Sequence, residues 1–137
     1  VIGYLKDLEK FFFNIKEKLN DKAILIFDFW YGPSVIKNKP KSSSKRFNYN
    51  NLKIIKKSKG EIIDNRKIKV DIDFFVDENG SILKDHETHY VNFFFPDYFS
   101  QIFTKLGFTI LEIDNKKYTK NFNSDTQWEA ICYIQNN

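Results

Sequence analysis

The chain has 137 residues, of which 18% are aromatic, and a net charge of +4; this length suits one globular domain, residues 1–137, with a core of its own. The lysines are scattered through loops and polar faces and form no basic stripe interleaved with aromatic residues, which argues against a nucleic-acid partner. The one cysteine, Cys132, excludes an internal disulfide and a cysteine metal cluster, and no apolar stretch in the sequence reaches membrane-spanning length, which argues against a membrane partner.

Three elements are predicted in the first 30 residues. Residues 1–4 indicate the end of a β-strand already under way, so we expect the chain to be a fragment or a processed product. Apolar residues recur at three- and four-residue spacing over 6–19, which predicts an amphipathic helix. The unbroken apolar run at 23–29 predicts a strand buried on both faces. Because a helix separates the two strands, they should be parallel and joined by a right-handed crossover.

The middle of the chain changes from polar to strand-rich. Residues 34–45 are polar and predict a loop. Residues 52–63 are prone to form strand, with a predicted break at 58–60. Apolar residues at 68, 70, 72, 74 and 76 alternate with polar residues at 67, 69, 71 and 73, which predicts a half-buried strand. Such antiparallel strands, inserted between parallel-sheet elements, should form an accessory sheet within 34–95.

A hairpin is predicted at residues 77–80, where the sequence is Asp-Glu-Asn-Gly. Its second strand should run over 81–95. The hairpin places His86 on the polar face that also carries Asp71 and Asp73. We therefore expect His86 to cap or pair with one of these two acids.

Glu87 and His89 fall on the opposite, apolar face of the same hairpin. An acid and an imidazole there must either satisfy each other as a structural pair or face a ligand cavity. The pattern leaves both interpretations open. His86 and His89 project to opposite faces and cannot chelate one metal ion, so no metal site is expected.

The C-terminal segment predicts a helix and an antiparallel pair of strands. Pro96 suits the first turn of a helix and Gly107 its end. Strands are predicted at 108–113 and 128–134, separated by a polar loop at 114–126. The last two strands should pair antiparallel.

The single cysteine also indicates the cellular compartment. Cys132 lies in an apolar run, which favours a core residue over a nucleophile. An unpaired thiol suits a reducing interior. Together with the lack of a recognisable signal peptide, this predicts a cytoplasmic protein.

The end of the apolar strand is the first place to look for a functional site. Ligands in open α/β sheets lie beyond the carboxyl ends of such strands, and this one ends in Asp28, Trp30 and Tyr31. Tyr4, at the end of the first predicted strand, should lie on the same rim. The alternatives are that Asp28 makes a cap or loop hydrogen bond and that the two aromatic residues cover the core.

The order of these features resembles the second half of a class I S-adenosylmethionine-dependent methyltransferase. The similarity covers almost the whole chain and is greatest to the small-molecule branch that includes nucleotide-sugar N-methyltransferases. It implies an α/β fold, the C-terminal half of a Rossmann-like methyltransferase with an inserted antiparallel β layer. The matching stretches are Val1-Ile2-Gly3-Tyr4-Leu5, Ile24-Leu25-Ile26-Phe27-Asp28-Phe29-Trp30-Tyr31-Gly32-Pro33, Glu87-Thr88-His89-Tyr90-Val91, Pro96-Asp97-Tyr98-Phe99 and Leu106-Gly107-Phe108.

The resemblance also implies roles for individual residues. The first residues would border the methyl donor, S-adenosylmethionine, and the aromatic strand end would line the pocket of a small-molecule acceptor. A base could help to remove a proton from the acceptor. The implied sites are cofactor contacts at Gly3 and Tyr4, acceptor contacts at Asp28, Trp30, Tyr31 and Glu87, and catalytic roles for His89 and Tyr4.

The chain departs from the family in one respect. The family's glycine-rich cofactor loop and its ribose-binding acid precede the fourth strand, and this sequence contains neither. The leading hypothesis is therefore the acceptor-side portion of a small-molecule methyltransferase, with an amino sugar or nucleotide sugar as the expected acceptor. Alone, this portion is expected to bind S-adenosylmethionine poorly and to be inactive. The rivals are a non-catalytic binding or dimerisation module derived from that fold, with a homodimer through the accessory sheet, and a lysine-rich nucleic-acid binder.

Overall fold

The computed structural model describes residues 2–114 and 127–137. The chain divides into two compact units, one formed by residues up to 38 together with those from 92 onward, and the other by residues 39–91. The described part contains no helix long and apolar enough to cross a bilayer. In chain order the elements are a 3₁₀ turn (Ile2–Tyr4), α1 (Leu8–Lys16), β1 (Ile24–Tyr31), α2 (Gly32–Lys37), β2 (Ser43–Tyr49), β3 (Leu52–Asp64), β4 (Lys67–Glu78), β5 (Ser81–Phe94), α3 (Pro96–Leu106), β6 (Phe108–Asp114) and β7 (Glu129–Asn136).

The strands are hydrogen-bonded in the order β2-β3-β4-β5 in the 39–91 unit and β5-β1-β7-β6 in the other, because β5 continues past residue 91. In the first of these units β2, β3 and β4 are antiparallel. In the second, β1 is parallel to β5 and antiparallel to β7. The helices all belong to this second unit, so the sheet there is a mixed α/β layer, as predicted.

Residues Ile2–Tyr4 form a 3₁₀ turn, so the predicted strand end at 1–4 is wrong for the residues described. The Leu5 amide donates to the Ile2 carbonyl oxygen at 3.0 Å, and this bond to a residue three positions back closes the backbone on itself. Such a turn offers no extended edge for pairing with β1. The parallel partner of β1 is β5 instead, and the predicted right-handed crossover is absent from the described part of the chain.

Helix α1 begins and ends inside the predicted range 6–19. Asp7 is the N-cap, and its Oδ1 accepts a hydrogen bond from the Lys10 amide at 2.9 Å, which satisfies one of the free amides of the first turn. At the other end, the amides of Lys18 and Leu19 donate to carbonyls three residues back. This tightening ends the α-helix before the predicted boundary.

The core of the helix-containing unit is built from phenylalanine rings. Phe12 of α1 and Phe103 of α3 have ring centroids 4.8 Å apart, and Phe29 of β1 lies 4.7 Å from Phe99 of α3. Phe27 of β1 contacts rings from both helices. Both helices therefore pack on the same face of β1, where edge contacts between rings contribute about 0.5–1.5 kcal/mol each beyond burial.

The other face of β1 has no such cover among the described residues, so the predicted burial of the strand on both faces is wrong. Ile24 and Ile26 alternate with the core-facing residues and are 56% and 57% exposed. The physical reason is that α1 and α3 both lie on the opposite side. The apolar composition of the strand does not reveal which of its faces has a partner.

The predicted loop at 34–45 contains the rest of a helix and the start of a strand. Pro33 lies in the first turn of α2, where its fixed φ and missing amide suit a helix start. Strand β2 begins at Ser43, whose hydroxyl oxygen lies 2.7 Å from that of Ser58 on β3. Pairing with β3 thus makes a strand of a segment whose own sequence is polar.

Strand β3 runs without a break through residues 58–60, contrary to the prediction. Each of these residues pairs with one on β4, so this pairing overrides a weak local preference. Gly60 has a further reason to be glycine. A Cβ at that position would lie 2.6 Å from the Cβ of Pro40.

The β4–β5 hairpin and helix α3 are confirmed. Asn79 and Gly80 have φ values of 53° and 84°, as a two-residue hairpin turn of type I′ requires. Pro96 begins α3, and Gly107 ends it in the left-handed conformation with a φ of 74°. Strands β6 and β7 pair antiparallel, as predicted. Residues 115–126 of the predicted C-terminal loop lie outside the described residues.

Candidate functional site

The carboxyl end of β1 lies beside the end of β5. Trp30 pairs in register with Phe93 and Tyr31 with Phe94, in the parallel sense. In open α/β sheets the carboxyl ends of parallel strands border ligand sites. The sequence had suggested that Asp28 ends the strand. The strand continues to Tyr31, so Asp28 lies inside it.

Asp28, Trp30 and Tyr31 do not share a face of β1. Asp28 and Trp30 alternate with the core-facing Phe29 and lie on the same side as Ile26. Tyr31 packs against the core, with its ring 6.3 Å from that of Phe29. The structure therefore brings Asp28 and Trp30 together on the uncovered face, whereas Tyr31 matches the alternative interpretation of a residue that covers the core.

An aromatic corner, formed by Trp30, Tyr31 and Trp128, follows β1. The rings of Trp30 and Trp128 meet edge to face, with centroids 5.2 Å apart. The Tyr31 amide donates to the Trp128 carbonyl oxygen at 2.6 Å, and the Trp128 Nε1 donates to the Asn38 carbonyl oxygen at 2.8 Å. The Nε1 hydrogen bond holds the Trp128 ring in place, and the Trp30 ring packs against it.

Two buried polar atoms flank the aromatic corner, and neither has a hydrogen-bond partner among the described residues. They are the Oγ of Ser34, in the first turn of α2, and the Oε1 of Gln127, which precedes Trp128. Ser34 is 1% exposed, and leaving a buried polar group unsatisfied costs about 1–3 kcal/mol. A ligand with hydrogen-bonding groups that reached this corner would offset that cost.

Sequence reasoning missed Ser34 and Gln127. A serine in a polar segment and a glutamine next to a predicted loop carry no sign of burial. The nearest feature that the sequence offered was Gly32, which follows the last residue of the strand and directly precedes Pro33. A Cβ on Gly32 would lie 2.9 Å from the ring of Phe95, so the close packing that buries this corner depends on glycine there.

Gly3 and Tyr4 lie in the 3₁₀ turn, which contacts β1. Gly3 is buried, whereas Tyr4 is 54% exposed. The Asn92 Nδ2 donates to the Leu5 carbonyl oxygen at 3.3 Å and so ties the residue after the turn to the end of β5. The turn therefore lies beside β1. That Tyr4 shares a rim with Trp30 stays a prediction.

Glu87 and His89 form a pair on β5. The Nε2 of His89 lies 3.1 Å from the Oε2 of Glu87, and the side chains are 35% and 49% exposed. This is the mutual satisfaction that the sequence allowed as one interpretation. Both residues belong to the 39–91 unit, whereas Asp28 and Trp30 belong to the other, and a pocket shared by all four stays a prediction.

The opposite face of the hairpin carries a second polar cluster. His86 Nδ1 lies 2.7 Å from Asp73 Oδ1, which confirms the predicted pairing. The Thr88 hydroxyl donates to Asp71 Oδ1 at 2.7 Å, and Lys69 lies 3.0 Å from the same carboxyl group. The Thr88 hydrogen bond and the Lys69 charge lower the pKa of Asp71 below its ordinary value.

Cys132 is a core residue, as expected. Its side chain is fully buried on β7, and burial raises the pKa of its thiol to about 12. A thiol in that state is a poor nucleophile at neutral pH. Within residues 2–114 and 127–137, no three His, Cys, Asp or Glu side chains are grouped so that they could hold a metal ion.

The uncovered face of β1 continues onto the neighbouring strand. In register, Ile26 lies opposite Tyr133 and Asp28 opposite Ile131, both on β7. Ile131 and Tyr133 are partly exposed, like Ile24 and Ile26 beside them. An apolar sheet face of this kind is a candidate for contact with further protein.

Solved methyltransferase structures have a similar fold. One S-adenosylmethionine-dependent methyltransferase, from Clostridium acetobutylicum ATCC 824, matches with a TM-score of 0.75 and 14% identity over 98% of this chain and 54% of its own. CalS10, an S-adenosylmethionine-bound amino pentose methyltransferase from Micromonospora echinaspora involved in calicheamicin biosynthesis, matches with a TM-score of 0.80 and 9% identity over 99% and 54%. The sugar N-methyltransferase KedS8 from Streptoalloteichus sp ATCC 53650 matches with a TM-score of 0.75 and 10% identity over 99% and 53%. No family model and no curated protein matches the sequence.

These similarities establish the fold. Nearly the whole chain superposes on methyltransferase structures, and it spans about half the length of each. The predicted α/β class, a partial Rossmann-like methyltransferase fold, is confirmed.

Proposed function

We propose that this chain is the acceptor-side portion of an S-adenosylmethionine-dependent methyltransferase acting on a small molecule, with an amino sugar or a nucleotide-linked sugar as the acceptor class. The observation that carries the proposal is the match of nearly the whole chain to about half of each methyltransferase structure. CalS10 is an amino pentose methyltransferase and KedS8 a sugar N-methyltransferase, and these two enzymes suggest the acceptor class. A cytoplasmic location, expected from the free thiol of Cys132, is part of the proposal.

The uncovered face of β1 supports this assignment. Strands of parallel sheets are covered by helices on both faces, whereas Ile24 and Ile26 are more than half exposed here. In the proposal, the cofactor-binding half of the fold, which these 137 residues do not contain, packs against this face. The same assembly brings the methyl donor to the end of β1, close to Asp28 and Trp30.

The contribution of this chain to catalysis is alignment of the acceptor. S-adenosylmethionine, when bound, supplies an electrophilic methyl group on a sulfonium. A reacting group held at the right distance and angle gains most of the available acceleration. Trp30 provides a rigid wall, Asp28 attracts an amino group, and the buried oxygens of Ser34 and Gln127 hold hydroxyl or amino groups of the acceptor in place.

The remaining predicted residues complete the proposed site. Gly3 and Tyr4 border the methyl donor. His89, oriented by Glu87 at 3.1 Å, takes up the proton that the acceptor nitrogen loses as it gains the methyl group. General base catalysis by a positioned side chain contributes about 10²–10⁴-fold to the rate.

Calorimetric titration with S-adenosylmethionine tests the first part of the proposal. The 137-residue chain alone should show no micromolar binding, since it contains no glycine-rich cofactor loop. Micromolar binding by this chain alone would contradict the assignment. A chain extended by a cofactor-binding half should bind the same molecule.

A matched pair of histidine variants in that extended chain tests the catalytic part. His89→Gln should lower the methylation rate by about 10²–10⁴-fold without changing the affinity for S-adenosylmethionine. The control is His86→Gln, on the opposite face of β5 and paired with Asp73, which should leave the rate unchanged. Equal effects of the two substitutions would exclude a specific role for His89.

A non-catalytic dimerisation module is the second candidate, and the edge strand β2 favours it. Every residue of β2 is exposed, including Phe47 and Tyr49 at 39% and 63%. Strand β2 ends the hydrogen-bonded order of the 39–91 unit, and such an edge can pair with a second copy of the strand. Sedimentation equilibrium should then detect a dimer that Phe47→Lys disrupts; a monomer at all concentrations would exclude this candidate.

A further inference from the structure

A hollow of about 400 Å³ lies on one face of the sheet in the 39–91 unit, near the β4–β5 turn. It lies on the same face as Asp71 and Asp73 but farther along the strands. Its size is in the range of small-molecule sites. Its lining combines apolar residues, three lysines and one carboxylate: Ile55, Phe75, Val76 and Ile82, then Lys53, Lys57 and Lys84, and Asp77.

Strand register explains why cationic and apolar side chains meet there. Lys53, Ile55 and Lys57 alternate along β3 and so point to the same face. Phe75 on β4 lies directly opposite Ile55. The two-residue turn at the end of β4 then brings Lys84 of β5 beside the same ring.

The ammonium groups converge on Phe75. The Lys57 Nζ lies 5.2 Å from the centre of the ring and the Lys84 Nζ lies 5.8 Å from it. Both distances are within the range of cation–π attraction. This contact holds two positive charges over one small apolar area, where a ligand can reach both.

Two carboxylates lie near the lysines in register. Asp77, opposite Lys53, lines the hollow and accepts a hydrogen bond from the Gly80 amide at 2.9 Å. Asp73, opposite Lys57, is paired with His86 at 2.7 Å and does not line the hollow. Three lysines therefore outnumber the one carboxylate in the lining, and the net positive charge favours an anionic ligand.

Ile82 adds the apolar part of the site. Its side chain is 67% exposed and lines the hollow together with Phe75 and Ile55. A plain anion would leave this surface in water, whereas a ligand with a flat apolar group would cover it. Burial of apolar surface contributes about 25 cal/mol per Å².

We propose that this hollow binds a nucleoside diphosphate or a close analogue, with the phosphates on Lys53, Lys57 and Lys84 and the base against Ile55 and Ile82. This is a second site, separate from the one in the proposed function, because no residue that lines the hollow belongs to the proposed acceptor site, and Ile82 and Lys84 lie on the face of β5 opposite to Glu87 and His89. The volume suits one nucleotide rather than a length of single-stranded nucleic acid, which requires a groove that follows several nucleotides.

Isothermal titration of the full chain with uridine diphosphate tests the proposal. Binding should be measurable at a dissociation constant below about 1 mM, and it should weaken at high salt because the contacts are ionic. Lys57→Gln combined with Lys84→Gln should lower the affinity by at least about tenfold, since each charged contact to phosphate is worth about that factor. Failure to bind, or unchanged affinity in the double variant, would overturn the proposal.

A matched control is available one residue along the strand. The Lys56 Nζ lies 5.6 Å from the ring of Phe74, which reproduces the cation–π contact on the opposite face of the sheet. Lys56→Gln should change the affinity for uridine diphosphate by less than about twofold, which is well below the effect of losing one charged contact. An equal loss in this variant would show that net charge alone drives binding and would overturn the site.

The role of the base is tested with two further measurements. Pyrophosphate should bind more weakly than uridine diphosphate, and Ile82→Ser should weaken binding of the nucleotide but not of pyrophosphate. Pyrophosphate binding as tight as that of the nucleotide would overturn the assignment of a nucleotide site. Much tighter binding of a polynucleotide, growing with its length, would overturn it in favour of a nucleic-acid surface.

Discussion

Replacement of both Ile24 and Ile26 by threonine should change the free energy of unfolding of the isolated chain by no more than about 0.5 kcal/mol. Their side chains are 56% and 57% exposed on the uncovered face of β1. Threonine is also β-branched and keeps the strand preference of isoleucine. If both side chains were fully buried, they would contribute about 1.5–3 kcal/mol each, so the experiment separates a covered face from an uncovered one.

Urea unfolding followed by tryptophan fluorescence measures this difference, because Trp30 and Trp128 are in contact with each other near the end of the same strand. The control is Phe29→Ala on the core face of β1, which should cost about 3–5 kcal/mol. A loss above about 2 kcal/mol in the threonine variant would mean that the face is already covered in the isolated chain, and the reasoning would be refuted. In a chain joined to the cofactor-binding half, the same double substitution should become strongly destabilising.

Three further outcomes are expected. Thr88→Val removes the largest cause of the lowered pKa of Asp71, so the carboxyl should titrate closer to its ordinary value. A lowered native pKa stabilises the fold at pH values above the ordinary pKa, and this stabilisation is lost as the pH falls through the lowered pKa. The stability of the variant should therefore also be less sensitive to acid. An unchanged titration of Asp71 by NMR would contradict the hydrogen bond. The thiol of Cys132, with its pKa raised to about 12, should stay protonated at pH 8 (roughly the ordinary thiol range) and react with a disulfide reagent only after unfolding; rapid labelling of the native protein would contradict its burial. Ser34→Ala removes an unsatisfied buried hydroxyl and should raise the free energy of unfolding by up to about 1 kcal/mol, whereas a clear loss would show that the hydroxyl has a partner.

Elements with local signals were predictable from the sequence. Pro96 and Gly107 bound α3 because the first lacks an amide that a helix start does not need and the second adopts a left-handed φ of 74°. Asn79 and Gly80 specify the β4–β5 turn for a similar reason. Each of these signals depends on the conformation of one or two residues, and no distant contact is needed to interpret them.

Elements that depend on a distant partner were not predictable in the same way. Residues 58–60 continue β3 because β4 pairs with each of them and β2 pairs with Ser58. Residues 43–45 are polar and begin β2 because they pair with β3. Residues 2–4, which resemble a strand in composition, close into a turn instead. In all three cases the deciding interaction joins residues far apart in sequence or has no compositional signal.

The residues of the candidate site differ in the same way in how far the sequence could predict them. Trp30 could be proposed from its place at the end of an apolar strand, and the Glu87–His89 pair from alternation within a hairpin. Ser34 and Gln127 could not be proposed from the sequence, because they are candidates only through their burial. That burial depends on the packing of α2 and of the residues at the start of β7. Tyr31 packs against the core on the other face of β1, and its contact with an acceptor stays a prediction; the predicted strand end came too early to show which residues share a face.

Under the proposed function, the composition of β1 and its surroundings fit a strand that a second part of the fold covers. A strand that is apolar on both faces is typical of sheets covered on both faces, yet α1 and α3 cover only one. Asp28 and Trp30 lie on the uncovered face, together with Ile24 and Ile26. A partner that covered the isoleucines would therefore also change the surroundings of Trp30 and bring its own groups to the acceptor site. Under the proposed function, stability of this face and competence for methyl transfer depend on the same contact, so a partner that stabilises the chain through Ile26 should also shift the fluorescence of Trp30.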